Sequence, residues 1–123
     1  MRLVTHNMLM CNKKGVTNGF PLRIEAEEIE VIESEFRPEF LKKLLGKLDY
    51  FAFLNAAKSL KLAEELPPCL TENVYEDDQA MKSIHHVMFD VHIKKGRLIC
   101  PESNREFPIV DGIPNMLLND DEV

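Results

Sequence analysis

Three cysteines are the residues of this chain best suited to hold a metal ion or to act as nucleophiles. They are Cys11, Cys69 and Cys100. A structural zinc ion takes four Cys or His donors, usually in closely spaced pairs. No second cysteine stands near Cys11, and Ser103 occupies the position where a Cys-x-x-Cys pair starting at Cys100 needs its second thiolate. We therefore interpret Cys11 and Cys100 as isolated buried thiols and expect no metal ion in this chain.

The histidines and glycines form no pattern typical of an enzyme. His6, His85, His86 and His92 have no serine, cysteine or carboxylate nearby at a spacing typical of a nucleophilic site. An enzyme that binds its cofactor in the usual doubly wound fold needs a glycine-rich turn after its first strand, where the backbone approaches the cofactor. The five glycines, at positions 15, 19, 46, 96 and 112, never cluster. The sequence therefore predicts no catalytic residue and no cofactor bound by this chain.

An apolar segment near the C-terminus indicates binding instead of catalysis. Residues 112–118 read Gly-Ile-Pro-Asn-Met-Leu-Leu, and few residues follow that could cover them. Pro114 cannot donate a hydrogen bond within a sheet, so the stretch suits an edge strand whose open backbone pairs with a strand of another protein. Packing of Met116 and Leu117 into the chain's own core is the alternative.

Length and composition restrict the function classes further. The 123 residues suit one small domain with little room for an enclosed catalytic cleft. A net charge of -6 without a cluster of basic residues argues against autonomous binding to nucleic acid, which needs many cationic contacts to phosphates. Three widely spaced cysteines do not suit a secreted disulfide framework, and the sequence shows no signal peptide or membrane span. We therefore expect a cytoplasmic and nuclear protein.

The first two thirds of the chain read as strands followed by helices. Residues 3–10 are predicted to form a first strand, and apolar alternation at 22–31 favours a second. Pro38 suits the first position of a helix, and Asp49 can cap another. The acidic residues 76–78 are placed to open a third helix.

The last third of the chain reads as strands again. Alternation with a period of two returns at 87–93, Lys95-Gly96 suits a hairpin turn, and residues 107–110 form a further strand. The acidic residues 120–122 are expected to fray. Because strands flank helices, we predict an α+β fold in which both chain ends join one sheet and the helical middle packs beside it.

Six motifs spread over essentially the whole chain carry a family resemblance. Each motif is modest alone, but six in sequence over a matching length are hard to obtain by chance. They resemble the multifunctional methyltransferase subunit family, the tRNA methyltransferase subunit 112 homologues. In chain order they are Thr5-His6-Asn7, Gly19-Phe20-Pro21-Leu22-Arg23, Glu35-Phe36-Arg37-Pro38-Glu39-Phe40, His85-His86, Cys100-Pro101-Glu102-Ser103 and Gly112-Ile113-Pro114-Asn115-Met116-Leu117-Leu118.

The resemblance implies a eukaryotic non-catalytic subunit that activates and stabilises several S-adenosylmethionine-dependent methyltransferases. The enzymes are class I methyltransferases acting on tRNA, 18S rRNA and the glutamine of a translation release factor, each as a heterodimer with the subunit. The enzyme holds S-adenosylmethionine, so the subunit is expected to bind no cofactor and to contact RNA mainly through its partner.

The resemblance also implies an architecture. It is a small antiparallel, zinc-ribbon-like sheet domain formed by residues 1–36 and 87–123, with residues 37–86 as a helical insertion. Some family members carry zinc on four cysteines in two knuckles. Cys11 and Cys100 match the first and third of these positions, and Ser103 replaces the fourth, so zinc is not expected here.

We predict a partner-binding surface made from the first predicted strand and the end of the chain. Two alternative functions stay open. One is a zinc-ribbon-type nucleic-acid module or metal-dependent enzyme that uses Cys11, Cys100 and a histidine, and the other is a ribosome-assembly adaptor. The predicted contact residues are Thr5, Asn7, Met8, Leu9, Phe107, Pro108, Ile109, Ile113, Pro114, Asn115, Met116 and Leu117.

Overall fold

The computed structural model describes residues 1–123 and shows an α+β architecture, which confirms the predicted fold class. Four antiparallel strands form one sheet in the order β1-β2-β3-β4. No helix is both long enough and apolar enough to cross a membrane. The strands are β1 (Arg23–Val31), β2 (Val91–Ile99), β3 (Glu106–Val110) and β4 (Ile113–Pro114). The helices are α1 (Leu3–His6), α2 (Pro38–Leu45), α3 (Tyr50–Ser59), α4 (Glu72–Glu76) and α5 (Asp78–His85), with a π-helical turn at His86–Asp90 and a 3-10 turn at Asp120–Glu122.

Strand β2 lies at the centre and joins both ends of the chain. One side of β2 pairs with β1 along its whole length. The other side pairs with β3 over its second half and with the N-terminus over its first half, where Arg2 bridges to His92. The Met1 ammonium donates hydrogen bonds to the carbonyl oxygens of Ile93 and Gly112, each at 2.7 Å. Both chain ends therefore lie in one sheet.

One hydrophobic core joins the sheet to the helices. It contains Phe53 of α3 and Ile84 of α5 together with Leu98 of β2 and Phe107 of β3. None of these four side chains is more than 1% exposed. The helices and the sheet share this one core. The division into a sheet domain and a helical insertion stays a prediction.

The predicted helix starts are confirmed. Pro38 is the first residue of α2, where its missing N–H costs no hydrogen bond. Asp49 caps α3, because its carboxylate accepts a hydrogen bond from the Ala52 N–H at 3.0 Å. Asp77 caps α5 in the same way, accepting from the Gln79 N–H at 3.0 Å. The short helix α4 buries no residue and has no counterpart among the predicted elements.

The predicted first strand at residues 3–10 is wrong. Only the first two residues of the chain lie beside β2, and the chain then turns into α1. Leu3, Val4 and Asn7 are buried while Met8 is exposed, which is the three-and-four spacing of a helix. Four residues are too few for the sequence to distinguish this spacing from a strand.

The predicted hairpin turn at Lys95-Gly96 is also wrong, because β2 continues through both residues. Gly96 pairs with Ala26 at a point where the register of β1 shifts. A β-carbon on Gly96 would lie 3.0 Å from the Ala26 α-carbon and would collide with the Glu25 carbonyl oxygen. The glycine therefore permits close approach of two strands at a bulge instead of a chain reversal.

The strand predicted to begin at Val87 begins at Val91. Helix α5 runs on into the π-helical turn, which buries Val87, Met88 and Asp90. Over so few residues, the apolar spacing of this turn resembles the alternation of a strand. The strand predicted at residues 107–110 is confirmed as part of β3.

Candidate functional site

The end of the sheet carries an open apolar groove, which we call the edge groove. β4 pairs with β3 on one side only, so its outer backbone edge has no strand beside it. Ile113 is 70% exposed and Leu117 is 80% exposed, although both are large apolar side chains. No charged residue lines this groove. The lining residues are Pro108, Val110, Ile113, Pro114, Asn115, Met116 and Leu117.

The predicted contact residues of β3 divide between the two faces of the strand. Phe107 and Ile109 are 1% exposed, and their side chains lie in the core of the free chain. Their role as contact residues stays a prediction. Pro108 and Val110 point outward and line the edge groove. Since side chains alternate along a strand, this division is readable from the sequence once the strand is known. Val110 is the contact candidate that the sequence interpretation missed.

The predicted contact residues near the N-terminus lie on and after α1. Asn7 is 8% exposed, and its side-chain amide donates to the Asp49 carbonyl at 2.8 Å while its amide oxygen accepts from the Asp49 N–H at 3.0 Å. These bonds fix the start of α3, so Asn7 has a structural role and is not available on the surface. Thr5 and Leu9 are half-buried, and Met8 is 64% exposed. Met8 is thus the residue of this stretch most open to a partner.

The two cysteines that match zinc-ligand positions of the family, Cys11 and Cys100, come together in the structure. Cys11 and Cys100 are both buried, and the Ser103 N–H donates to the Cys100 sulfur at 3.3 Å. Burial raises the pKa of the Cys11 thiol. Burial acts in the same direction on Cys100, but hydrogen bonds from Ser103 and from the Glu102 backbone outweigh it and lower the pKa of that thiol.

The donor set around these thiols does not fit a structural zinc ion. Two thiols and the hydroxyl of Ser103 replace the four Cys or His donors that such a site needs. No group of three or more Cys, His, Asp or Glu side chains is positioned to hold a metal. This chemistry gives no support to the alternative of a zinc-dependent module.

The C-terminal tail closes over this region, so the expected fraying of residues 120–122 is wrong. Glu122 is 7% exposed and accepts a hydrogen bond from the Arg105 Nε at 2.7 Å. The Arg105 guanidinium also lies 4.9 Å from the ring centre of Phe107. The Lys14 N–H donates to the Glu122 carbonyl at 2.6 Å. The Arg105 hydrogen bond is the main cause that lowers the pKa of Glu122 to about 2.

A serine, a histidine and an aspartate meet beside α5, which sequence spacing did not reveal. The Ser34 hydroxyl donates to Asp90 Oδ1 at 2.7 Å and lies 3.1 Å from His85 Nε2. His85 Nε2 is itself 3.5 Å from the same Asp90 oxygen. In a catalytic triad the carboxylate holds the imidazole nitrogen opposite to the one that faces the hydroxyl. Here the carboxylate holds the hydroxyl itself, so this arrangement does not activate a nucleophile.

The remaining histidines have structural partners. His6 is buried, and because Nε2 lies 2.7 Å from the Leu22 carbonyl oxygen it must carry the proton that is donated there. Burial lowers the pKa of His6 and so favours the neutral ring. His86 lies 3.0 Å from Asp90 across the π-helical turn, and His92 lies in β2 beside Arg2.

Comparison with known proteins identifies the family. A family model described as Trm112p-like protein matches residues 2–112. Multifunctional methyltransferase subunit TRM112 homolog A of Arabidopsis thaliana is 45% identical over 100% of both chains. The multifunctional methyltransferase subunit TRM112-like protein of Mus musculus is 46% identical over 99% of this chain and 98% of its own length.

A solved structure supports the fold. It is the E. cuniculi Mtq2-Trm112 complex, responsible for methylation of the translation termination factor eRF1. The match has a TM-score of 0.55 and 16% identity, and it covers 95% of this chain and 95% of the other. With a family model over nearly the whole sequence and relatives close to half identical along their full length, this chain belongs to the Trm112p-like family.

Proposed function

We propose that this chain is a non-catalytic activating and stabilising subunit of several S-adenosylmethionine-dependent class I methyltransferases. The names of its relatives support this proposal, because they are multifunctional methyltransferase subunits. The related E. cuniculi complex pairs such a subunit with one methyltransferase. The proposed substrates of the heterodimers are tRNA, 18S rRNA and the glutamine of a translation release factor. These substrates imply that the heterodimers act in the cytoplasm and the nucleus and that they take part in ribosome biogenesis.

The observation that carries the proposal is the edge groove. A sheet edge left unpaired beside exposed apolar side chains is a liability unless another chain covers it. β4 offers this combination, with an open backbone edge and with Ile113 and Leu117 exposed. A methyltransferase strand laid along β4 would pair with its backbone and bury these side chains.

Stabilisation of the enzyme then follows from mass action. A subunit that binds only the folded enzyme adds about 4 kcal/mol of stability when its free concentration is a thousand times the Kd. Total stabilities of domains are about 5–15 kcal/mol, so this contribution can decide whether an enzyme stays folded. No conformational signal between the two chains is required.

The absence of catalysis in this chain is part of the proposal. Its support is the arrangement of Ser34, His85 and Asp90, in which the carboxylate binds the hydroxyl instead of orienting the imidazole. We propose that S-adenosylmethionine is held by the partner and that the reacting groups come from the partner. RNA is then contacted mainly through the enzyme.

Co-expression with a methyltransferase tests the proposal. We expect a partner that is insoluble alone to become soluble with this chain. Ile113→Glu should abolish this gain, because it places a charge where the complex is expected to bury an apolar side chain. Val31→Glu is the matched control, since Val31 is 56% exposed at the opposite edge of the same sheet. Equal partner yields with the wild type and Ile113→Glu would contradict the edge groove as the docking surface. Failure of the wild type to raise the yield of any methyltransferase would contradict the proposed function.

A further inference from the structure

Cys11 and Cys100, which we call the thiol pair, are free cysteines that meet in the core although they lie far apart in the sequence. Neither side chain is more than 2% exposed. The two thiols lie within hydrogen-bonding reach of each other. Because the donor set around them does not fit zinc, the contact between the two sulfurs needs another explanation. Two adjacent thiols can instead be joined to each other by oxidation.

The loops that follow the two cysteines are fastened to each other. Thr17 lies in the loop after Cys11, and Glu102 lies in the loop after Cys100. The Glu102 carboxylate accepts a hydrogen bond from the Thr17 N–H at 2.9 Å and another from the Thr17 hydroxyl at 2.8 Å. These bonds keep the two loops side by side. The thiol pair is therefore held together by contacts that do not involve the sulfurs themselves.

The two members of the thiol pair differ in reactivity. The Ser103 N–H donates a hydrogen bond to the Cys100 sulfur at 3.3 Å. Although burial opposes it, this bond and others from the same loop lower the pKa of the Cys100 thiol. Burial raises the pKa of the Cys11 thiol. Since the thiolate is the form that attacks an oxidant, Cys100 is suited to react first and Cys11 to resolve the product.

We propose that the thiol pair closes into a reversible disulfide when the chain meets hydrogen peroxide. The Cys100 thiolate attacks one peroxide oxygen and the O–O bond breaks. Cys100 becomes a sulfenic acid, and the departing hydroxide takes up a proton to form water. The Cys11 sulfur then attacks the Cys100 sulfur, so that an S–S bond forms while the S–O bond breaks. The second hydroxide leaves with the Cys11 proton as water.

The electrons and atoms of this reaction balance. The two thiols together lose two electrons and two protons, and one peroxide molecule is reduced to two water molecules. A small dithiol reverses the change by passing two electrons and two protons back to the pair and becoming a disulfide itself. Disulfides of intracellular proteins are usually transient and redox-sensing, which agrees with a reversible bond.

The C-terminal tail covers the thiol pair and governs how an oxidant reaches it. The Glu122 carboxylate holds Arg105, which follows Cys100, at 2.7 Å. The Glu122 carbonyl accepts a hydrogen bond from the N–H of Lys14, which follows Cys11, at 2.6 Å. Local opening of a short tail exposes buried groups without unfolding the rest of a protein. A molecule as small as hydrogen peroxide can enter through such an opening.

The disulfide ties the region near the N-terminus to the end of β2, which Cys100 directly follows. A disulfide stabilises a fold mainly by restricting the unfolded chain, and the effect grows with the length of the closed loop. The loop here runs from residue 11 to residue 100 and includes most of the chain. The oxidised chain should therefore melt about 10 °C above the reduced chain. This inference concerns the chain alone and does not depend on the proposed function.

The test is treatment of the reduced full chain with an equal amount of hydrogen peroxide, followed by catalase and then by unfolding in N-ethylmaleimide. Mass spectrometry counts the labels. The reduced chain takes three labels, one at each cysteine. After peroxide, we expect a label at Cys69 only, a mass lower by two hydrogen atoms before labelling, and a peptide that links Cys11 to Cys100. Dithiothreitol should release that peptide.

The matched control is Cys69→Ser, which removes the exposed cysteine and leaves the thiol pair intact. It should form the same bond and show the same rise in melting temperature. Cys11→Ala should leave Cys100 as a sulfenic acid that dimedone traps. Because the main result is read on the wild type and on Cys69→Ser, poor folding of Cys11→Ala would not affect it.

Three results would overturn the inference. The first is full labelling of Cys11 and Cys100 after the peroxide has been consumed at Cys69. The second is a disulfide that joins Cys69 to either member of the thiol pair. The third is stoichiometric zinc on the purified chain that protects both thiols from the peroxide.

Discussion

The outer edge of β1 and the outer edge of β4 are both unpaired, but the two strands differ in length and in charge. β1 is nine residues long and carries four glutamates, and its register shifts twice near Glu28. Charges and bulges of this kind discourage another strand from pairing. β4 is two residues long, has no charge and is flanked by exposed apolar side chains. Under the proposed function, we therefore expect a partner to dock at β4 and not at β1.

The largest expected effect separates the two faces of β3. Phe107→Ala should lower the free energy of unfolding by about 3–5 kcal/mol, because it leaves a cavity in the core. Val110→Ala, on the outward face, should change it by less than about 0.5 kcal/mol yet weaken the heterodimer. Urea unfolding and titration of a methyltransferase measure the two quantities. Similar unfolding energies for both variants would show that the faces are assigned incorrectly.

An effect of intermediate size is expected when the charges that protect the β1 edge are removed. Glu27 and Glu28 are exposed and make no salt bridge within the chain. Replacing both with threonine should favour strand pairing between copies, since threonine suits strands and carries no charge. Light scattering at increasing protein concentration should then show association that the wild type lacks. A double variant that stays monomeric at every concentration would mean that the glutamates do not protect this edge.

The smallest expected effect concerns the C-terminal tail, where Glu122 pairs with Arg105. Because the folded pKa of Glu122 is about 2 and its ordinary value is 4.5, its ionised carboxylate stabilises the fold above pH 4.5. That contribution declines as pH falls from about 4.5 toward 2. Glu122→Gln should therefore lower the melting temperature slightly at pH 6, and the difference from the wild type should shrink near pH 2. A difference independent of pH would exclude the Arg105 ion pair as its cause.

Sequence reasoning succeeded where the signal was local. Pro38 and Asp49 mark helix starts by their own chemistry, and the groove residues 113–117 stand out as an apolar run containing a proline. It failed where a segment was too short for its apolar spacing to separate a helix from a strand, as at residues 3–10, and where the cause lies far along the chain. The role of Gly96 depends on the backbone of Glu25, which no local pattern shows.

The cluster of Ser34, His85 and Asp90 was out of reach for the same reason. Ser34 meets His85 and Asp90 across 51 and 56 positions of sequence. Arg2 reaches Phe89 only because the N-terminus pairs with β2. The partner role of Thr5, Leu9 and Met8 stays a prediction.

Amide hydrogen exchange of the free chain and of its heterodimer with a methyltransferase tests the difference between the two edges most directly. The Asn115 amide already donates to the Pro108 carbonyl in the free chain. The Met116 amide makes no such bond, so it should exchange rapidly in the free chain and become strongly protected in the heterodimer, because a partner strand would then accept its hydrogen bond or exclude water. Amides at the outer edge of residues 23–31 should exchange equally in both states. Protection that appears along 23–31 and not along 113–117 would contradict the account.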